Sequence, residues 1–219
     1  MKQLIVLFLA IFMSGSYASE SLTPKNSREV WLSFNGTNYC KPGFCAETIP
    51  YRALREALNF YRDNQDVIDN TSYVGIIDFT MQSTLKRFFI LNLKTGAVES
   101  MLVTHGKKSE TELGFAGQFS NTINSEMSSL GFYLTDNNSY IGKHGVSLRL
   151  DGLSETNSNA RARNIVLHGA DYATQWFADQ KGRLGLSQGC PAVAPNKIEG
   201  VIKKLKGRGL LYIHKNKTI

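Results

Sequence analysis

Apolar positions along the chain follow two periods. Between Ile49 and Asn64, Leu54, Ala57, Leu58 and Tyr61 recur at i, i+3, i+4 and i+7, the stripe of an amphipathic helix, with Arg52, Arg55, Glu56 and Arg62 on its solvated side. Pro50 suits the first turn, where a missing N–H costs nothing. From Ser72 the pattern becomes strand-like. Tyr73–Phe79 and Arg87–Leu93 read as strands, and Lys94-Thr-Gly-Ala97 as a turn into Val98–Thr104, so that Phe88 to Val103 forms a β-hairpin. Leu130–Thr135, Val146–Leu150 and Gly209–His214 are shorter strands, His214 being placed at the surface, and Ile165-Val-Leu167 is the unbroken apolar run of a buried strand. Helical spacing returns twice. Asp171 can cap a helix to about Gln180, with Tyr172, Ala173, Trp176 and Phe177 inward and Gly182 ending it. Pro195 can start another, with Ile198, Val201, Ile202 and Leu205 inward and Lys203, Lys204 and Lys206 complementing its dipole. Gly106 to Ser129 is polar and rich in Gly, Ser and Asn, a long loop able to wall a groove. The pattern predicts an α+β, β-rich fold with a few peripheral helices.

The chain of 219 residues is long enough for one sizeable core and contains no internal repeat. Its start reads differently from the rest. Lys2 precedes an uncharged apolar run, Leu4 to Met13, and Ser16-Tyr17-Ala18 is a small-x-small cleavage site, so 1–18 is expected to be a signal peptide. That run is too short to span a bilayer, and no stable membrane span is expected after its removal. Residues 19–49 form an N-terminal arm and 50–219 the folded domain. Loss of Lys2 takes the formal charge from +7 to +6, a balance that suits an anionic polymer such as cell wall. Nucleic acid is set aside, because no binding motif appears and the aromatics do not interleave with a basic stripe. The expectation is an exported protein of the periplasm or cell envelope.

Three cysteines in an exported chain leave one unpaired. Cys40 and Cys45 flank Lys41-Pro-Gly-Phe44, a turn that can bring them together in a disulfide adding about 2 kcal/mol. Cys190 is then the free thiol, between Gly189 and Pro191 on a shaped loop, with Ser187 just ahead. His168 sits at the exit of the apolar strand, followed by Gly169. A thiol on a Gly-flanked loop and an imidazole on a rigid strand end are what cysteine acyl transfer needs. Cys190 is the candidate nucleophile and His168 its general base and later acid, with Ser187 orienting the site and backbone N–H groups of Gly189 and Cys190 holding the oxyanion. His105-Gly106 repeats the His-Gly pair but precedes no cysteine block, and His105 reads as a strand-end or loop residue. A papain-like protease would place its Cys ahead of its His, the reverse of the order here. A zinc amidase could draw on His105, His144 and His168, but no zinc-ligand spacing appears, and no cofactor or metal is expected.

His168-Gly169 followed by Ser187-Gln188-Gly189-Cys190 resembles the signature of the bacterial L,D-transpeptidase catalytic domain. Tyr140-Ile-Gly-Lys-His-Gly-Val-Ser-Leu-Arg-Leu-Asp-Gly-Leu153, Asn159-Ala-Arg-Ala-Arg163 and Gly189-Cys-Pro-Ala192 are similar to a branch of that family, and the resemblance runs roughly from Phe79 to His214. It implies a mixed β-sheet or sandwich catalytic domain acting on peptidoglycan tetrapeptide stems. Cleavage would follow the diaminopimelate residue at its L-centre, releasing the terminal D-Ala, and the thioester would pass to an amine in a 3-3 cross-link or to water in carboxypeptidase trimming. A wall-binding module that kept the fold without activity is the alternative. Tyr140, His144 and Gly169 fall in the matching blocks as substrate-side candidates, with His144 otherwise a loop histidine. Arg161 and Arg163 are either surface charges or a fork for a stem carboxylate, and Asp151 a turn former or an orienting partner. The common family pattern has His before the Gly-Cys pair and Arg-Asn two and three places after it. Gln188, Ala192 and Val193 stand there instead, departures that bear on acceptor choice and activity more than on fold.

Overall fold

The computed structural model describes residues 33–34, 37–38 and 49–216. The expected signal peptide and the Cys40–Cys45 pair lie outside the described residues. Of the arm, a short antiparallel ladder is described, β1 (Ser33–Phe34) against β2 (Thr37–Asn38). Helix α1 (Tyr51–Asp63) follows, capped at Pro50, whose carbonyl accepts the Leu54 N–H at 3.0 Å. The proline therefore precedes the first turn instead of lying within it.

Strands β3 (Tyr73–Asp78), β4 (Phe88–Asn92) and β5 (Val98–Met101) form an antiparallel meander, the expected hairpin included. The long loop after them carries a 3-10 turn at Lys107–Ser109 and a small hairpin, β6 (Glu110–Glu112) with β7 (Phe115–Ala116). Then come β8 (Gly131–Thr135), β9 (Tyr140–Gly142), β10 (Gly145–Gly152), β11 (Val166–Gly169), helix α2 (Gln175–Lys181), β12 (Ala192–Val193), helix α3 (Pro195–Leu205) and β13 (Leu210–His214). Nine strands form one mixed sheet in the order β12-β11-β10-β8-β13-β3-β4-β5, with β9 added along β10. The last strand of the chain enters the middle of the sheet, parallel to β3 and antiparallel to β8.

That position explains the unbroken apolar runs. A strand covered on both faces needs apolar residues at every position. In β13, Leu210 and Tyr212 join the cluster under α1 (Leu54, Leu58, Tyr61), whereas Leu211 and Ile213 join the opposite cluster with α3 (Ile198, Val201, Ile202, Leu205). β3 divides likewise, with Val74 and Ile76 on the α1 side and Ile77 on the other. Each buried Leu or Ile contributes about 1.5–3 kcal/mol, so the two helix faces clamp the sheet from both sides.

The sheet corrects two expectations. His214 is not at the surface. Its place in β13 puts it on the α1 face, where it is 2% exposed, 2.9 Å from the Tyr212 hydroxyl and 3.2 Å from Glu56 of α1. Asp171 does not cap α2 either. It opens a 3-10 turn, and Thr174 caps the helix by accepting the Phe177 N–H. The delayed start rotates Trp176 outward to 70% exposure and turns Ala178 inward. Gly182 ends the helix at φ 68°, as its sequence position implied.

Candidate active site

Register across three strands builds the site. Ser147 of β10 lies opposite both Tyr140 of β9 and His168 of β11, so the three residues form a row across the sheet. Alternation along β11 turns Val166 and His168 to one face while Leu167, fully buried, enters the core. These side chains line a cleft of about 750 Å³, together with Cys190, Ser187, Gln188, Tyr172, His144, Lys143, Arg163 and Asn164. Lys107, Asn124 and Glu126 of the long loop close it, as expected of that loop.

The loop carrying Cys190 is laced to its neighbours. The segment after β5 holds it on both sides, through Ser187 N–H to the His105 carbonyl (3.0 Å), Lys107 N–H to the Ser187 carbonyl (2.8 Å) and Thr104 N–H to the Ala192 carbonyl (2.9 Å). Inside the loop, the Ser187 hydroxyl donates to the Cys190 carbonyl at 2.6 Å and accepts the Gly189 N–H at 3.1 Å. Gly189 has φ 117°, and a Cβ there would lie 2.7 Å from the Met127 carbonyl and 3.2 Å from an Arg163 nitrogen. Both conditions require glycine. The Gly189 N–H, read from the sequence as an oxyanion donor together with that of Cys190, is engaged by Ser187 in this structure. The Cys190 N–H makes no hydrogen bond among the described residues.

The thiol is half-buried. It donates to the Asn164 carbonyl at 3.6 Å and accepts the Val166 N–H at 3.5 Å, and no hydrogen bond joins it to His168 in this state. Burial pushes its pKa up, against opposing pulls from the Val166 N–H and the Arg163 charge, so the resting sulfur is a thiol. The His168 Nδ1–H donates to the Gly169 carbonyl at 3.0 Å, which leaves Nε2 with a free lone pair. Burial, with His144 adding to it, holds His168 below the usual imidazole range despite the opposing Gly169 bond. At neutral pH the ring is uncharged and able to accept a proton. His144 stacks on it, ring centroids 4.4 Å apart.

The structure separates the other candidates. Tyr140 lines the cleft, its ring under the Arg149 guanidinium at 4.5 Å. Gly169 does not line it. A Cβ there would meet Pro195 and Ile198 of α3 at 3.2 Å, so the glycine serves helix packing. Arg161 and Arg163 lie in a turn ahead of β11 and diverge. Arg161 makes a bidentate pair with Asp151 and reaches Asp136 at 3.5 Å on the surface, away from the cleft. Asp151 is thus its orienting partner. Arg163 faces the cleft, but its terminal nitrogens are spent on the Ser120 and Met127 carbonyls and the Ser125 and Ser129 hydroxyls, so it is no open fork for a substrate carboxylate. His105 is fully buried, its Nδ1 accepting from Arg87 at 2.7 Å, outside the cleft lining.

Asn164 and Arg87 were missed. Asn164, at φ 54°, supplies the carbonyl that accepts the thiol proton, and an Asn before a strand was its signal. Arg87 donates to the Val103 and Met81 carbonyls as well as to His105, bracing the segment that holds the Cys190 loop. A cation entering directly into the apolar run Phe88-Phe-Ile-Leu91 was its trace in the sequence. Among the described residues, no group of three or more His, Cys, Asp or Glu is gathered as a metal site, and no helix is long and apolar enough to cross a membrane.

A comparison with curated proteins found no match. Among solved structures, the chain is similar to an L,D-transpeptidase from Mycobacterium smegmatis, at 13% identity over 66% of this chain and 59% of that one, TM-score 0.38. It is similar to L,D-transpeptidase 1 of Mycobacterium tuberculosis, at 10% identity over 65% and 61%, TM-score 0.37. An L,D-transpeptidase from Xylanimonas cellulosilytica aligns at 12% identity over 67% and 62%, TM-score 0.36. The chain spans less than two thirds of the length of each. A family model described as the L,D-transpeptidase catalytic domain matches residues 45–214, well over half of the chain, and on that match the chain belongs to the L,D-transpeptidase catalytic domain family.

Proposed function

We propose that the protein is an exported cysteine acyl-transfer enzyme acting on peptidoglycan tetrapeptide stems, with residues 1–18 as its signal peptide and the periplasm or cell envelope as its site of action. The observation that carries this reading is the pairing, in one cleft, of a free thiol at Cys190 with a neutral imidazole at His168 whose Nε2 is left unbonded. Membership of the family supports the substrate class.

In the first step His168 Nε2 takes the thiol proton and the Cys190 sulfur forms a bond to the scissile carbonyl carbon. The oxyanion so formed accepts from the Cys190 N–H. Collapse breaks the C–N bond, His168 returns the proton to the leaving D-Ala amine, and a thioester remains on Cys190. An acceptor amine or water, deprotonated by His168, then attacks the thioester and restores the thiol. Both partners are neutral at rest, so general-base catalysis fits the site better than a preformed thiolate–imidazolium pair. Ser187 acts on the loop and not as a second nucleophile, because its hydroxyl is engaged in both directions.

The test is mass spectrometry of purified muropeptides incubated with the mature protein. Loss of one D-Ala from tetrapeptide stems indicates trimming, and a 3-3 linked dimer indicates transfer. A carbapenem, whose strained ring mimics the acyl donor, should add its mass to the wild type and not to Cys190→Ala. Stems left unchanged by a protein that co-sediments with peptidoglycan would point to the wall-binding alternative. Wild-type processing by Cys190→Ala would overturn the acyl-enzyme reading.

A further inference from the structure

The guanidinium of Arg163 occupies an unusual position for a cation. It lies against the turn that carries the nucleophile, 3.2 Å from where a Gly189 Cβ would be, and it borders the same cleft as the thiol. Four bonds hold it there, from Nη1 to the Ser120 carbonyl (2.7 Å) and Ser129 hydroxyl (3.1 Å), and from Nη2 to the Ser125 hydroxyl (3.1 Å) and Met127 carbonyl. All four acceptors are neutral. Among the described residues Arg163 has no carboxylate partner, whereas Arg161, two residues away, is paired with two aspartates. A half-buried charge is normally neutralised by an anion, and this one has been fixed by dipoles alone.

We propose that Arg163 is a positioning residue for Cys190, a pinned cation whose unneutralised charge favours the thiolate as it forms. The proposal rests on the reading of Cys190 as nucleophile. A cation held by neutral oxygens keeps its full field, and loss of the thiol proton creates an anion on the turn it lies against. The opposing influence of Arg163 on the raised thiol pKa has the same sign. The other charges around the sulfur do not substitute for it. Lys107 is paired with Glu126, and Lys143 projects from an exposed turn. His168 is held neutral, and burial keeps the Tyr172 and Tyr133 hydroxyls protonated. His144 and Tyr140 lie beyond His168 in the β9–β10 hairpin, on the base side of the cleft.

The test uses the thiol alone and needs no peptidoglycan, so it stands or falls separately from the substrate assignment. Cys190 in the full mature chain is alkylated with iodoacetamide from pH 6 to 10, and the rate is followed by mass spectrometry. Arg163→Gln keeps hydrogen-bonding capacity and removes the charge. Its alkylation rate at pH 8 should fall by about three- to ten-fold, the effect of losing a partly solvated opposite charge nearby, and its rate–pH curve should move to higher pH. Arg163→Lys should stay within about two-fold of the wild type, although it makes fewer bonds. Thermal melts establish that each variant is folded. A folded Arg163→Gln whose rate–pH curve overlays that of the wild type would overturn the proposal, as would a Lys variant shifted as far as the Gln variant.

Discussion

The ring of His144 lies over the ring of His168, the two planes 28° from parallel, although 24 residues separate them in the chain. The hairpin between β9 and β10 carries His144 to its tip, and the pairing of Ser147 with His168 brings that tip over the imidazole. The stack shields the imidazole from water, and the second ring adds to the penalty on protonating it.

His144→Ala should therefore let His168 protonate more easily. The proposed base acts when neutral, so the acid limb of the kcat/KM–pH profile should move to higher pH, and activity near pH 6 should drop more than at pH 8. His144→Phe keeps a stacked ring but not its charge, and should shift the limb less than His144→Ala. The measurement is kcat/KM for tetrapeptide stems from pH 5 to 9.

Cys190→Ala and His168→Ala should each abolish turnover, and the double variant should be hardly worse than either, because partners in one proton transfer are not additive. Cys190→Ser should be nearly as poor as Cys190→Ala. His105→Gln, outside the cleft, should keep most activity. Steady-state rates on one muropeptide preparation check all of these together.

Ser187→Ala removes the hydroxyl that bridges the Cys190 carbonyl and the Gly189 N–H. Two backbone groups in a buried turn lose their partner, so a stability loss of about 1–3 kcal/mol is expected, with a fall in kcat larger than any change in KM. Gly189→Ala should be more severe, since a Cβ at φ 117° also collides with the Met127 carbonyl. Thermal unfolding and iodoacetamide labelling of Cys190 report on both variants.

Stability should fall on mild acidification through His105. Burial first, then the charges of Arg87 and Arg183, hold its pKa down to about 3, whereas the unfolded chain takes up that proton near pH 6.5. The unfolded state therefore binds more protons below about pH 6.5, and stability is lost as pH drops from there toward 3, by up to about 3 kcal/mol at pH 4. His105→Gln keeps an acceptor for Arg87 without an ionisable ring. Its melting temperature should change less between pH 7 and pH 4 than that of the wild type, although it starts lower.

Periodicity alone determined most of the scaffold. The i, i+3, i+4 stripes of α1 and α3, the hairpin from β4 to β5 and the buried run into His168 are local consequences of which face must leave water, and each could be read from neighbouring residues. The Gly-Cys turn and the strand-end imidazole were equally legible, because each depends on residue types at adjacent positions. What tertiary structure decided was the direction of polar groups toward partners far away in sequence. Nothing local distinguishes Arg161, spent on Asp151 at the surface, from Arg163, pinned beside the turn that carries Cys190. His214 reads as a terminal surface histidine until β13 is inserted between β3 and β8 and α1 closes over it. The resting bonds of the thiol to Asn164 and Val166 depend on where two backbone groups at the entry to β11 point. Burial of apolar surface is non-directional and leaves its mark as a period in the sequence, whereas hydrogen bonds and charges act through distances and angles that exist only once the sheet has been assembled.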